Sequence, residues 1–174
     1  MSTLQVENLI GPTSGANANK VIIPSGQTLY APGHVIQTVR TEYRTYASSA
    51  STSFAATGLT AAITPSSTSS KILAKVIMNG MYLTGNARYI KIHLYKASSS
   101  VATLTTTAGY VSASDEPSYG VYSNVYEHLD SPSTTSATTY TVYWAVTAGT
   151  ATINNYNTGN TSSLSSITLQ EIAQ

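Results

Sequence analysis

Residues 88–96 alternate with a period of two: Ile90, Ile92 and Leu94 fall on one side, and Tyr89, Lys91, His93 and Tyr95 on the other. On a helix that spacing would scatter the apolar side chains around the axis. On a strand it gathers them on one face, so the segment reads as a half-buried strand. Residues 139–147 repeat the pattern, with Tyr140, Val142, Trp144 and Val146 on one side. Serine and threonine are the two commonest residues, and they collect with Gly and Pro in the turns between such segments.

The same reading places further strands at 34–42, around Phe54 and 59–64, at 101–104, 108–111, 119–128, 151–156 and 167–172. Residues 71–83 are apolar on both faces (Ile72, Leu73, Val76, Ile77, Met78, Met81), which predicts a central strand covered on both sides; Asn79-Gly80 leaves open a bulge or turn within it. Eight or more short strands, punctuated by turns, predict an all-β fold: an antiparallel β-sandwich, jelly-roll-like, spanning residues 34–174.

Residues 1–33 differ. Two short extended pieces, 4–10 and 20–23, flank a Gly/Pro/Ser/Asn loop, and a Pro-Ser-Gly turn follows at 24–26. Such a leader has too few apolar residues for a core of its own. It is expected to attach the body to something larger or to sibling chains, with Leu4, Val6, Leu9, Val21, Ile23 and His34 as the docking or trimer contacts.

Charge narrows the function. Eight Lys and Arg against seven Asp and Glu give a formal net charge of +1, and the cations are scattered, which argues against nucleic acid as a partner. There is no cysteine, hence no disulfide, thiolate nucleophile or sulfur-bound zinc. No apolar run approaches the ~20 residues of a membrane span, so membrane insertion is not expected. The first residues lack a basic region followed by an apolar one, so synthesis in a host cytoplasm is expected.

Candidate chemistry is sparse. His128 and Asp130 with Glu127 could form an acid–base pair, but no third ligand or nucleophile has a motif around it; a plain strand end is the better reading. Asp115-Glu116 lacks the spaced oxygens of a calcium loop. Asn160-Thr161-Ser162 matches a glycosylation sequon that is common by chance. No catalytic, cofactor or metal residue is assigned. Tyr119, Tyr122 and Tyr126, with His93, are the candidate surface or receptor contacts, because outward tyrosines give rigid amphipathic contact area for a ligand such as a host-surface glycan. The same tyrosines could instead line a subunit interface or the core.

The leader Ser2-Thr3-Leu4-Gln5-Val6-Glu7-Asn8-Leu9-Ile10, followed by Val21-Ile22-Ile23-Pro24-Ser25-Gly26 and Ala31-Pro32-Gly33-His34-Val35-Ile36-Gln37, resembles the N-termini of fibre-like and other structural proteins of tailed bacteriophages, marine and cyanobacterial ones especially. Thr57-Gly58-Leu59-Thr60-Ala61-Ala62-Ile63-Thr64-Pro65, Leu129-Asp130-Ser131-Pro132 and Ile167-Thr168-Leu169-Gln170-Glu171-Ile172-Ala173 are similar to body strands of the same group. The resemblance implies a non-enzymatic virion structural protein: a homotrimer on the virion exterior, docked on capsid or tail proteins through residues 1–33. Tail fibres are usually much longer than this chain, which leaves a short fibre, a fibre tip or a capsid-decorating protein. The alternative is a carbohydrate-binding module that uses exposed tyrosines.

Overall fold

The computed structural model describes residues 10–18, 20–25, 31–84, 88–111, 118–154 and 163–174. The chain divides into two compact units, residues 1–31 and 32–174. Expected contacts at Leu4, Val6 and Leu9, and the loops carrying Asp115-Glu116 and Asn160, lie outside the described residues.

In the first unit backbone bonds run from Ala18 N to Gly15 O (3.1 Å) and from Lys20 N to Asn17 O (3.1 Å). Ile10, Val21, Ile22 and Ile23 are between 41% and 77% exposed. Val21, Ile22 and Ile23 belong to no strand.

The second unit is all-β. Its elements are β1 (Val35–Tyr43), β2 (Ala47–Ser49), β3 (Ala55–Ile63), β4 (Lys71–Thr84), β5 (Arg88–Lys96), β6 (Ser99–Thr105), β7 (Tyr110–Val111), β8 (Ser118–Asp130), β9 (Thr138–Val146), β10 (Thr150–Ile153) and β11 (Ser165–Ile172). One sheet runs β1-β11-β4-β10-β2, with β8 on the other side of β4. The second runs β3-β9-β5-β6, with β7 on β5.

Without the short β2, β7 and β10, the eight long strands pair antiparallel as one nested hairpin: β1 with β11, β3 with β9, β4 with β8, and β5 with β6. First pairs with last and second with next-to-last, and the ladder is split between two sheets. That is the double Greek key of a jelly roll. The core lies between the sheets. Ile72, Ala74, Val76 and Met78 of β4, with Ile167 and Leu169 of β11, face Leu59, Ile63, Ile90, Ile92, Leu94, Val142 and Trp144.

The sequence expectation of a strand covered on both sides does not hold for β4. Its inner row is fully buried, but Leu73 and Ile77 on the outer face are only half-buried and Lys75 is exposed. Nothing among the described residues is layered on that face, and the strand is central only in its hydrogen bonding.

Asn79-Gly80 neither ends β4 nor turns it. Gly80 takes a left-handed φ of 58°, and the buried row slips by one place, from Ile72, Ala74, Val76 and Met78 to Met81 and Leu83. At this point the neighbour of β4 changes from β11, paired through Ile77, to β10, paired from Tyr82. The fork would leave backbone groups unpaired, and side chains fill it. Asn154, buried and itself at φ 57°, donates from Nδ2 to the carbonyls of Tyr43 (2.8 Å) and Thr45 (3.0 Å). Its Oδ1 accepts the Ser165 hydroxyl at 2.7 Å, and Ser165 Oγ accepts the Asn79 N–H at 3.0 Å. Buried polar groups joined this fully specify one geometry.

Candidate functional site

The outward face of the second sheet carries an aromatic cluster built from two strands and the residue that precedes a third. On β5 the alternation that buries Ile90, Ile92 and Leu94 turns His93 and Tyr95 outward, as their spacing predicts. On β9 the burial of Val142 and Trp144 turns Tyr143 to the same side, directly across from His93. Phe54, just before β3, completes the group. Tyr95 and Tyr143 stack with centroids 4.0 Å apart, and Phe54 lies 3.9 Å from the His93 ring. The four rings are half-buried, and the outward positions Ala56 and Ala62 on β3 are small.

His93 is held as a neutral platform. Nδ1 lies 3.1 Å from Ser100 Oγ, and Nε2 lies 3.2 Å from Thr103 Oγ1. Burial, and then the charge of Lys91, lower its pKa from the ordinary 6.5. Lys91 itself sits over the Tyr89 ring, 5.9 Å from its centroid. The result is an aromatic, hydroxyl-fringed surface with its cation at one end.

The tyrosine cluster singled out in sequence is distributed differently. Tyr126 turns to the inner side of β8, packs against the core and is half-buried, and burial pushes its hydroxyl up to about 12. The backbones of Tyr119 and Tyr122 lie in β8, and their side chains are outside the described set. So Tyr126 is not a free-standing contact, and the outward aromatic group is centred on His93 instead. Tyr95 was placed outward by its parity with His93, but Phe54 and Tyr143 were missed in sequence because they join the group from segments distant along the chain.

The residues considered for acid–base work are engaged structurally. Glu127 faces out and pairs with Lys75 at 3.0 Å, directly across on β4. Asp130 Oδ2 accepts Lys96 Nζ at 2.8 Å and Tyr140 Oη at 2.6 Å. Burial works to raise the Asp130 pKa, but those two donors and the Lys96 charge outweigh it, and the carboxyl lies below its usual range. Buried Glu171 is treated alike. Its Oε2 accepts Gln37 Nε2 at 2.6 Å, and its Oε1 accepts the Ser66 N–H and hydroxyl, both at 2.7 Å. Burial again opposes, and the hydrogen bonds win, so the Glu171 pKa is lowered. This carboxylate ties the turn before β4 to β11.

Of the expected trimer contacts, Val21 and Ile23 are exposed, and His34 is half-buried where its carbonyl accepts Ala173 N–H at 3.0 Å. Among the described residues there is no cluster of three metal-ligating side chains. Also among them, no helix is long and apolar enough to cross a membrane.

No family model and no curated protein matches the chain. Solved structures do. The infectious bursal disease virus VP2 subviral particle aligns at TM-score 0.44 and 10% identity, over 94% of this chain and 46% of that one. T=1 particles derived from infectious bursal virus align at TM-score 0.39 and 8% identity, over 91% of this chain and 42% of that one. The chain thus spans less than half the length of the structures it resembles.

Proposed function

We propose that this is a non-enzymatic virion structural protein. It is a homotrimer that docks on capsid or tail proteins through residues 1–33 and displays its jelly roll on the virion exterior, as a decoration or short fibre. The observation that carries this reading is the exposure of Val21, Ile22 and Ile23 in the first unit. Three consecutive large β-branched side chains in water are unfavourable by several tenths to a few kcal/mol each, and burial against other chains removes that cost. The sequence resemblance to phage structural proteins supports the same role. The jelly roll serves assembly, lectin and other functions alike, so it does not choose among them.

Light scattering on the purified protein at micromolar concentration tests the reading. Three times the chain mass is expected, and a stable monomer overturns it. Antibody labelling of particles in electron micrographs then locates the protein; absence from the particle rejects the virion role.

A second reading, a carbohydrate-binding module, is favoured by the cluster of Phe54, His93, Tyr95 and Tyr143. Aromatic rings fringed with hydroxyls suit the apolar C–H faces and hydroxyl edges of a neutral sugar. The two readings are compatible if the displayed face contacts a host-surface glycan.

A further inference from the structure

The edges of the sandwich are unequally protected. An unpaired edge strand invites pairing with another chain, and proteins blunt it with short strands, bulges or charges. Here β2 is three residues long and β7 two. β3 has a register shift between Ala56 and Thr60, β6 meets β5 with two shifts, and β1 has one shift and carries Arg40 and Glu42. β8 is neither short nor bulged, and its two carboxylates, Glu127 and Asp130, are already neutralised by Lys75 and Lys96. Its 13 residues keep an unbroken register with β4, from Asp130 opposite Ile72 to Ser118 opposite Thr84. Its other edge, over residues 123–130, has no backbone partner among the described residues.

The side chains of β8 are also inverted. Asn124, Tyr126, His128 and Asp130 take the inner row, while Val125 and Leu129 stand outward, 56% and 48% exposed. Across from them on β4, Ile77 and Leu73 extend the apolar strip. The one charge in the outer row between Ser123 and Leu129, Glu127, is met by Lys75.

The same chain holds a short apolar segment that belongs to no strand. Val21, Ile22 and Ile23 are strongly β-forming, exposed, and make no backbone hydrogen bond among the described residues. Lys20 is the only charge in the described leader, and on β8 Glu127 is already paired with Lys75 and Asp130 with Lys96, so apolar contact and backbone pairing, not charge, carry the match.

We propose that residues 21–23 of one copy add as a strand along the open edge of β8 in the next copy, covering Val125 and Leu129. This rests on the trimer reading and names its contact. The contact is head-to-tail, and three of them close into a ring, whereas a two-fold pairing of β8 with itself would give a dimer.

The chain has no cysteine, so single cysteines report the contact cleanly. Ile22→Cys and Val125→Cys chains are co-expressed, oxidised and run on a non-reducing gel, with the assembly size measured in parallel. A disulfide joining the two different chains is expected. A trimer without that disulfide overturns the strand addition alone, and a monomer overturns both it and the trimer. A chain bearing both cysteines that closes only on itself, with no cross-chain product, places the leader in cis and also overturns it. Val125→Lys, at an exposed position, is expected to convert the trimer to a monomer while the far-UV spectrum stays that of the folded body. Retention of the trimer in this variant counts against the proposal.

Discussion

Tyr140 on β9 donates a 2.6 Å hydrogen bond to Asp130 on β8, so one phenol joins the two sheets at the sandwich rim. Tyr140 is fully buried, and Lys96 from β5 reaches the same carboxylate oxygen. The apolar core cluster between the sheets does not by itself dictate how they slide. A directed bond to a charged acceptor does. Tyr140→Phe keeps the ring and removes the donor, and should cost about 1–3 kcal/mol. A double-mutant cycle with Asp130→Asn, read by urea unfolding, should give a coupling energy well above zero. Additivity of the two substitutions would mean that the bond contributes nothing beyond packing.

The paired carboxylates set an acid limit. Asp130 and Glu171 both have folded-state pKa values below their ordinary 3.8 and 4.5. The unfolded chain therefore binds protons more readily than the folded one. Their contribution is fully present above the unfolded values and is lost as pH falls through the folded ones. The lowered His93 pKa brings a first decline as pH falls below the ordinary 6.5, and the carboxylates bring a second, steeper one below their ordinary range. Glu171→Gln should lower stability at pH 7 and make the acid limb shallower. An unchanged acid limb in urea titrations at pH 7, 4 and 3 would assign it to other groups.

The jelly roll was legible in outline because its signal is local. The alternation of Ile90, Ile92 and Leu94 needs only one strand's neighbours, and so does that of Tyr140, Val142 and Trp144. The nested pairing of β1 with β11 was not legible, since no local signal names a partner over a hundred residues away. Facing failed where the two rows of a strand are equally apolar. In β8 the polar row Asn124, Tyr126, His128 and Asp130 turns inward, and the bonds from Tyr140 and Lys96 to Asp130 make that row compatible with burial. Hydrophobicity alone would choose the opposite side. The outward aromatic group was half visible: His93 and Tyr95 follow from parity, while Phe54 and Tyr143 join them only once β3, β9 and β5 lie side by side.

Gly58 is a position where backbone and packing agree. Its φ is 92°, at the register shift in β3, and an added Cβ would lie 2.6 Å from the Tyr43 hydroxyl on β1. Gly58→Ala therefore meets both a disfavoured conformation and a side chain that must move. The cost should be roughly 2 kcal/mol or more, which for a chain of this size is a fall in Tm of about 4–8 °C. Differential scanning calorimetry reads it directly. Combining Gly58→Ala with Tyr43→Leu separates the two causes: recovery of part of the loss identifies the clash, and no recovery identifies the backbone.

Glycan binding, if the displayed face performs it, belongs to the second sheet rather than to β8. Tyr143 presents an outward ring beside Tyr95 and opposite His93, while Tyr126 packs against the core with its hydroxyl pushed up to about 12. Tyr143→Ala removes one ring of the stack and nothing from the interior, so it should leave the fold intact. Loss of a stacking contact of about 1–1.5 kcal/mol corresponds to roughly a tenfold drop in affinity. Tyr126→Ala should do the reverse, lowering stability through lost packing while affinity per folded molecule is unchanged. An array of neutral bacterial-envelope glycans, followed by calorimetric titration of any hit, reads both variants. Binding that survives Tyr143→Ala and Phe54→Ala together would remove the aromatic face from consideration and leave the assembly role alone.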